Sequence, residues 1–364
     1  MKKAKKKVFV GMSGGVDSSV AAYLLKKQGY DVVGVFIRGY NIDNCQDRDA
    51  EDARRVAEHL SIPFYTWDFE KEYKRHVVDY MVAGYKKGLT PNPDVMCNRE
   101  IKFGIFFDRA MRLGADFVAT GHYVKKKNNS LAIAADKNKD QSYFLWTLTA
   151  KQIEKSLFPI GDYLKPEVRK IAKKAGISTA EKKDSQGICF LGMVSIKDFL
   201  KSYLPEKKGA VLNLKGEKVG EHFGAHFYTI GQRGGVGNLK HEKGQKNHVP
   251  LYVAKKDVKK NILVVAEGSD NPALYEKSVY LTDVNFNYSP STIHYPLEVS
   301  ARVRYRQPLF PAVLVKEKGG WRLDFKKSQK FVAPGQSAVI YLPSEASAKE
   351  GVKNDIMLGG GVIE

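Results

Sequence analysis

The stretch that decides the fold is Val8–Val20, VFVGMSGGVDSSV. A short apolar run (Val8, Phe9, Val10) leads into Ser13-Gly14-Gly15-Val16-Asp17-Ser18-Ser19, and a helical pattern follows through Val20, Ala21, Leu24 and Leu25 to Gly29. Strand, Gly-rich hydroxyl-bearing turn and helix N-terminus together make an anion cradle. The glycines let the backbone approach a phosphate, and the free N–H groups and positive helix end point at it. The stretch therefore reads as a nucleotide phosphate site. It lacks GxxxxGK[ST], which disfavours a Walker-type NTPase, and it lacks GxGxxG, which disfavours a dinucleotide site. What remains is SGGxDS, with hydroxyls, two glycines and a carboxylate but no lysine. Ser13 and Ser18 can donate to phosphate oxygens; Asp17 can hold Mg²⁺ or orient the turn.

Working outward, Val32–Arg38 and Phe64–Phe69 read as further strands, and Phe117–Gly121 as a fourth. Helical spacing covers Asp47 to Leu60 and Lys71 to Lys87. Leu89–Cys97, LTPNPDVMC, reads as a loop because two prolines break regular structure, and Asn98 as the N-cap of a helix to Leu113. Alternating strands and helices indicate a parallel sheet covered on both faces. Ligands in such sheets sit beyond the carboxyl ends of the strands, which brings Ser13–Ser19, the segment after Arg38 and Gly121-His122-Tyr123 to one edge. Residues 123–140 read as a polar hairpin or loop, Pro166 to Lys174 as a helix, and Glu181–Gly192 as a loop. After Pro205 short β-like runs and turn signals at about 8–12-residue intervals suggest a small barrel or sandwich.

The 364 residues predict two or three domains. Sixty Lys+Arg against 40 Asp+Glu give a net charge of +20, which favours a polyanionic partner, nucleic acid first. No stretch approaches the ~20 apolar residues of a membrane span. The start MKKAKKK lacks the apolar segment of a signal peptide, so the expected location is the cytoplasm. Cys45, Cys97 and Cys189 form no CxxC pair, which argues against a structural zinc site. Cys97 and Cys189 both fall in predicted loops, and Cys97 precedes a predicted helix N-terminus that would lower its pKa. Two separated loop cysteines can act as a sulfur donor and its resolving partner. Cys45 reads as a small buried hydrophobe.

Ser13–Ser19 resembles the pyrophosphate loop of the N-type ATP pyrophosphatases, which implies cleavage of ATP between the α and β phosphates. The wider chain resembles the bacterial tRNA-specific 2-thiouridylases. The resemblance is carried by GMSGGVDSSVAA, TPNPDVMCNREIKFG, ATGHY, KDQSYFLW, LFPIGDYLKPEVR, KKDSQGICFLG, YTIGQR, RVRYRQ, PGQ and LGGG, from the first strand to the last residues. It implies an α/β fold with a parallel-sheet, adenine nucleotide alpha hydrolase-like domain at 1–207. A small mostly-β central domain (208–275) and a C-terminal β-barrel (276–364) would follow, both gripping tRNA.

The implied reaction is 2-thiolation of the wobble uridine (position 34) of tRNAs of the Lys, Glu and Gln type. ATP with Mg²⁺ would adenylate the C2 oxygen, and sulfur would come from a cysteine persulfide. The resemblance places Gly11, Met12, Ser13, Gly14, Gly15, Val16, Asp17, Ser18, Ile37 and Gly121 at ATP. Cys189 would carry the persulfide sulfur, and Cys97 would attack it to free the sulfur or resolve it as a disulfide. Asp94, within Asn92-Pro93-Asp94, would exchange protons with the base. His122, Lys139-Asp140-Gln141, Arg304-Tyr305 and Gln336 would touch tRNA, along with Asn92 and Pro93. A cysteine desulfurase or persulfide carrier would supply sulfur.

Some positions leave alternatives open. His122 reads equally as a satisfied structural histidine. Along Ala301–Gln307, ARVRYRQ, a strand would put Arg302, Arg304 and Arg306 on one side and Tyr305 on the other, suiting phosphate contacts. Gly234 stands where relatives often carry Lys, and Ile37 where many have Met. An amidating or lysidine-forming ligase would need no cysteine pair, and a non-catalytic tRNA-binding protein would make no thiolated product.

Overall fold

The computed structural model describes residues 4–40, 42, 45–183, 194–233, 249–287, 294–342 and 356–364. Within them the chain runs β1 (Lys7–Gly11), α1 (Val16–Lys27), β2 (Asp31–Arg38), α2 (Cys45–His59) and β3 (Phe64–Asp68). Two long helical runs follow. The first joins α3 (Glu70–Tyr73), π-helical turns at Lys74–Val78 and α4 (Asp79–Lys86). The second joins α5 (Pro93–Met96), π-helical turns at Cys97–Ile105 and α6 (Phe106–Arg112). Next come β4 (Phe117–Thr120), the hairpin β5 (Lys125–Lys127) and β6 (Ser130–Ala132), α7 (Ala150–Glu154), β7 (Ser156–Leu157), α8 (Lys165–Lys174) and α9 (Ile196–Lys201).

The central strands β1, β2 and β4 are apolar on both faces, as parallel strands under two helical layers must be. Val8 and Val10 are fully buried, as are Val35, Val118 and Ala119. They form the expected parallel sheet, in the order β3-β2-β1-β4-β7. The order reverses between β1 and β4, and a crevice opens there beyond their carboxyl ends.

The remainder is β-rich, as predicted. Strands β8 (Gly209–Leu212), β9 (Lys218–His222), β10 (Leu251–Asp257) and β11 (Ile262–Glu267) form a small sheet, ordered β10-β11-β8-β9. Six more strands follow: β12 (Tyr275–Phe286), β13 (Leu297–Arg302), β14 (Phe310–Glu317), β15 (Gly320–Lys330), β16 (Ser337–Leu342) and β17 (Ile356–Ile363). They close as an antiparallel barrel, because β12 pairs with both β15 and β17.

The three parts share cores. The β5–β6 hairpin of the first half extends the barrel sheet through Ala132 opposite Ile356. Val95, Phe103, Tyr143 and Trp146 pack in one cluster with Val339, Tyr341 and Met357 of the barrel. Trp146 Nε1 donates to Ser337 Oγ at 2.9 Å, and Tyr143 Oη to the Ser337 carbonyl at 2.9 Å. Across the same seam Arg302 donates to Asp140 at 2.6 Å, with both side chains almost fully buried (6% and 1% exposed). Ser142 Oγ and Tyr341 Oη also contact the guanidinium, and it lies over the Tyr143 and Tyr341 rings. A second cluster packs Tyr73, Met81 and Cys97 with Phe199, Val211 and Leu263 of the middle region. No helix among the described residues is long and apolar enough to cross a membrane.

Removing one partner of a buried ion pair strands the other charge in a medium that cannot solvate it, at a cost of about 3–5 kcal/mol. Asp140→Asn is therefore expected to lower the urea midpoint by an amount in that range. The double variant Asp140→Leu/Arg302→Met, which removes both charges, should recover much of the loss. A loss under about 1 kcal/mol for Asp140→Asn, the size of an exposed pair, would refute this account of the seam.

Candidate active site at the carboxyl edge of the parallel sheet

The Gly-rich turn occupies the crevice between β1 and β4. Gly14 has φ +71°, and a Cβ there would lie 2.2 Å from the Asp49 carbonyl, so the position requires glycine. Gly121 follows β4 so closely that its Cβ would sit 2.5 Å from the Ser18 amide nitrogen. The two predicted segments therefore meet. The turn is tied internally: the Ser13 amide donates to Ser18 Oγ at 3.0 Å, and Ser19 Oγ donates to the Gly15 carbonyl at 2.8 Å. Helix α1 starts after Gly15 with no side chain capping it. A glycine-lined helix start left uncapped by any side chain suits a phosphate group. Ile37 sits near the carboxyl end of β2, opposite Trp67 of β3.

Asp17 is engaged within the protein. Lys165 Nζ donates to both its oxygens at 2.8 and 2.9 Å, and Tyr123 Oη donates to Oδ1 at 2.8 Å. Of the two roles open to Asp17, orienting the turn is the one these bonds perform. The lysine absent from the turn arrives from α8, 148 positions away. Sequence reading passed over Lys165, although it carried a signal. A cation in the first turn of a helix opposes the helix dipole, so it needs a partner elsewhere. Lys182 makes a similar clamp, 2.7 Å from Asp49 and 2.5 Å from Asp52 on α2.

The reading of residues 89–98 needs correction. The helix starts at Pro93, and Asn98 is not its cap. Asn92 Oδ1 accepts from the Val95 amide at 3.2 Å, with Pro93 in the first turn, where a missing N–H costs nothing. Asn98 instead lies buried inside the helix and donates to the Phe144 carbonyl at 3.2 Å. Cys97 consequently sits one turn inside the helix, 4% exposed, and Asp94 lies half-buried in the first turn. The expected lowering of the Cys97 pKa is reversed: burial pushes the thiol up, against smaller opposing effects from Lys102 and a hydrogen bond to Tyr73. Cys97 is a free thiol. Cys189 and its loop, Gly234 and the Cys45 side chain lie outside the described residues.

The residues that resemblance assigned to tRNA are distributed unevenly. His122 is 6% exposed between Phe103 and Phe158, with Nδ1 2.7 Å from Thr120 Oγ1. Burial first, and Lys102 second, hold its pKa well below the usual histidine range. Asp140 is the buried partner of Arg302, and Gln141 Oε1 accepts from the Tyr123 amide at 3.0 Å. Gln336 Nε2 donates to the Thr90 carbonyl at 2.7 Å, docking the Asn92 loop on the barrel.

The predicted alternation along Ala301–Gln307 does not occur. Strand β13 ends at Arg302, and a turn follows in which the Val303 amide donates to Gln307 Oε1 at 2.9 Å. Arg302 points inward to Asp140, Arg304 donates to the Ile230 carbonyl at 2.7 Å, and Tyr305 packs at a tilt against Phe144, ring centroids 4.4 Å apart. Of the three arginines only Arg306 is exposed.

Three protein-family profiles match the chain. One described as "tRNA methyl transferase HUP domain" covers residues 6–193. A "tRNA methyl transferase PRC-barrel domain" covers 197–267, and an "Aminomethyltransferase beta-barrel domain" covers 276–363. The tRNA-specific 2-thiouridylase MnmA of Pseudomonas fluorescens (strain SBW25) is 45% identical over 371 residues, spanning 99% of this chain and 95% of its own. The tRNA-specific 2-thiouridylase MnmA of Streptococcus thermophilus (strain CNRZ 1066) is 45% identical over 372 residues, spanning 99% and 96%. Among solved structures, an NMN synthetase from Francisella tularensis overlaps 50% of this chain and 67% of its own at 20% identity, with a TM-score of 0.34.

The buried state of Cys97 is directly measurable. In a Cys45→Ser/Cys189→Ser variant, iodoacetamide should label Cys97 more than about tenfold slower in the native protein than in urea, since each 1.4 kcal/mol or so of local opening gives a factor of ten. Because the thiol pKa is raised, the native labelling rate should keep rising at pH values where a free thiol has levelled off. Native labelling at the unfolded rate would contradict this placement.

Proposed function

The chain belongs to the tRNA-specific 2-thiouridylase family, and from that premise we propose that it replaces the C2 oxygen of the wobble uridine of tRNA with sulfur, using ATP. The observation that carries the reading is the 45% identity to 2-thiouridylases over 99% of the chain.

A uridine C2 carbonyl is a poor electrophile and oxide is a poor leaving group. In the proposed reaction the C2 oxygen attacks the α-phosphate of ATP, pyrophosphate leaves, and the oxygen becomes part of an AMP leaving group. The Ser13–Ser18 turn and the start of α1 would bind the phosphates, with Gly121 and Ile37 completing the nucleotide site. Lys165, already beside the turn, is the cation within reach of the phosphate charge. No group of three or more His, Cys, Asp or Glu side chains among the described residues is placed to hold a metal ion, and Asp17 is engaged by Lys165 and Tyr123. Mg²⁺ would arrive coordinated by the triphosphate oxygens, as it commonly is at phosphate sites.

The terminal sulfur of a Cys189 persulfide would supply the nucleophile, charged by a cysteine desulfurase or a persulfide carrier. Cys97, once deprotonated, attacks the inner sulfur of Cys189. Either the terminal sulfur leaves as sulfide and displaces AMP, or it is already bound to C2 and is released as the thiolated base. Both routes end with a Cys97–Cys189 disulfide, so a thiol reductant must supply two electrons before the next cycle. Asp94 would exchange protons with the extruded base, which an anticodon loop of a Lys-, Glu- or Gln-type tRNA can present. Asn92 and Pro93 shape the loop beside it.

The expected product is read by mass spectrometry of tRNA nucleosides, where sulfur-for-oxygen exchange and methyl addition give different masses. Cys189→Ser should abolish the thiolated nucleoside while tRNA-dependent ATP–pyrophosphate exchange survives. Lys165→Met should instead lower exchange by about 10²-fold, the usual effect of losing one preorganised charge-stabilising group. Thiolation by Cys189→Ser, or a methylated product from the wild type, would overturn the proposed function.

A further inference from the structure

Lys137, Asn138, Lys139 and Arg306 line an open pocket of about 300 Å³. The first three belong to the turn after β6, and Arg306 to the turn after β13, so the pocket straddles the seam between the nucleotide-site half and the barrel. Both turns are built. Asp136 Oδ1 accepts the amides of Asn138 and Lys139 at 3.0 and 3.2 Å, and its Oδ2 accepts the Lys165 amide at 3.0 Å. At the other end of the same turn Asp140 is held by Arg302. The barrel turn is closed by Gln307, which accepts from the Val303 amide and donates to Gln329 Oε1 at 3.0 Å. Arg306 is held at φ +63°, a conformation unfavourable for a side chain with a Cβ. Its guanidinium lies over the Tyr305 ring at 5.3 Å, and that ring is packed on Phe144.

The lining is cationic, with one amide, no carboxylate and no apolar side chain. Both acids of the turn, Asp136 and Asp140, are committed to the scaffold beneath. A small-molecule pocket would be lined mainly by apolar groups; this one suits a hydrated, multi-oxygen anion. Resting on the tRNA reading above, we propose that the pocket receives a backbone phosphodiester of the RNA, with Lys137, Asn138 and Arg306 as its further contacts. The site spans the seam, so one phosphate engages both halves of the molecule. Because the turns are held in advance, little ordering is needed on binding. Arg306, rather than Arg302, is then the phosphate-facing arginine of the 301–307 segment.

The test is the salt dependence of tRNA binding by the full-length enzyme. Removing one cation that neutralises a phosphate should reduce the slope of log K against log[KCl] by about 0.7–0.9. Arg306→Ala and Lys137→Ala should each show that reduction and weaken binding several-fold at fixed salt, with thermal unfolding unchanged. Lys27→Ala, at the far end of α1, should keep the wild-type slope. Unchanged slopes in both pocket variants overturn the phosphate site and leave thiolation untouched; a wild type that neither binds nor thiolates tRNA overturns the functional reading instead. Millimolar inorganic phosphate at constant ionic strength separates the sources. If it weakens wild-type binding, if Arg306→Ala abolishes that sensitivity and if the slope stays unchanged, the pocket takes free phosphate and the RNA assignment is wrong.

Discussion

The ion pair between Asp17 and Lys165 is the constraint on which the seating of the Gly-rich turn depends. It joins the first turn of α1 to the first turn of α8, and Tyr123 ties both to the exit of β4. Three segments far apart in sequence thereby close around one turn. The arrangement resolves two unfavourable placements together. A lysine at a helix start opposes the helix dipole, and a part-buried carboxylate lacks water; each gains a partner of opposite charge. The turn is held from within by the Ser13 amide, which donates to Ser18 Oγ at 3.0 Å. Its hydroxyls are bonded among themselves and to the Gly15 carbonyl.

Cys97 depends on a different constraint, shared packing. Its helix is covered by the middle region through the cluster containing Phe199 and Leu263, and meets the barrel through Val95 and Phe103. The middle region and the barrel therefore both help set the position of the helix that carries Cys97. Arg302, Asp140, Tyr341 and Gln336 act as struts of that arrangement. Enclosure raises the pKa of this thiol above its ordinary value. The helix is π-helical over Cys97–Ile105, and irregular turns of this kind concentrate at functional sites.

Local physics was legible in the sequence; long-range pairing was not. The apolar runs of β1, β2 and β4, the Gly-rich turn and the helix after it are each dictated by neighbouring residues, and they read correctly. Pro91 and Pro93 were misleading because proline both breaks helices and begins them. Asn92, as a cap one residue before Pro93, was the cue that settles which. The ARVRYRQ alternation matched a strand by period alone, but a single bond from Val303 to Gln307 ends the strand at Arg302. Partners such as Arg302 and Asp140, 162 positions apart, leave no local trace. Family resemblance named Asp140 and Gln336 without separating a residue that touches RNA from one that holds the surface in place.

Asp136 carries a consequence beyond its own turn. One oxygen of its carboxylate holds the amides of Asn138 and Lys139, and the other holds the amide of Lys165, whose ammonium grips Asp17. The cationic turn and the phosphate turn are thus separated by a single carboxylate and a single lysine. A ligand bound at one turn as proposed would act, through these bonds, on the seat of the other. Thermodynamic linkage makes such an effect reciprocal: the factor by which RNA alters nucleotide affinity is the factor by which nucleotide alters RNA affinity.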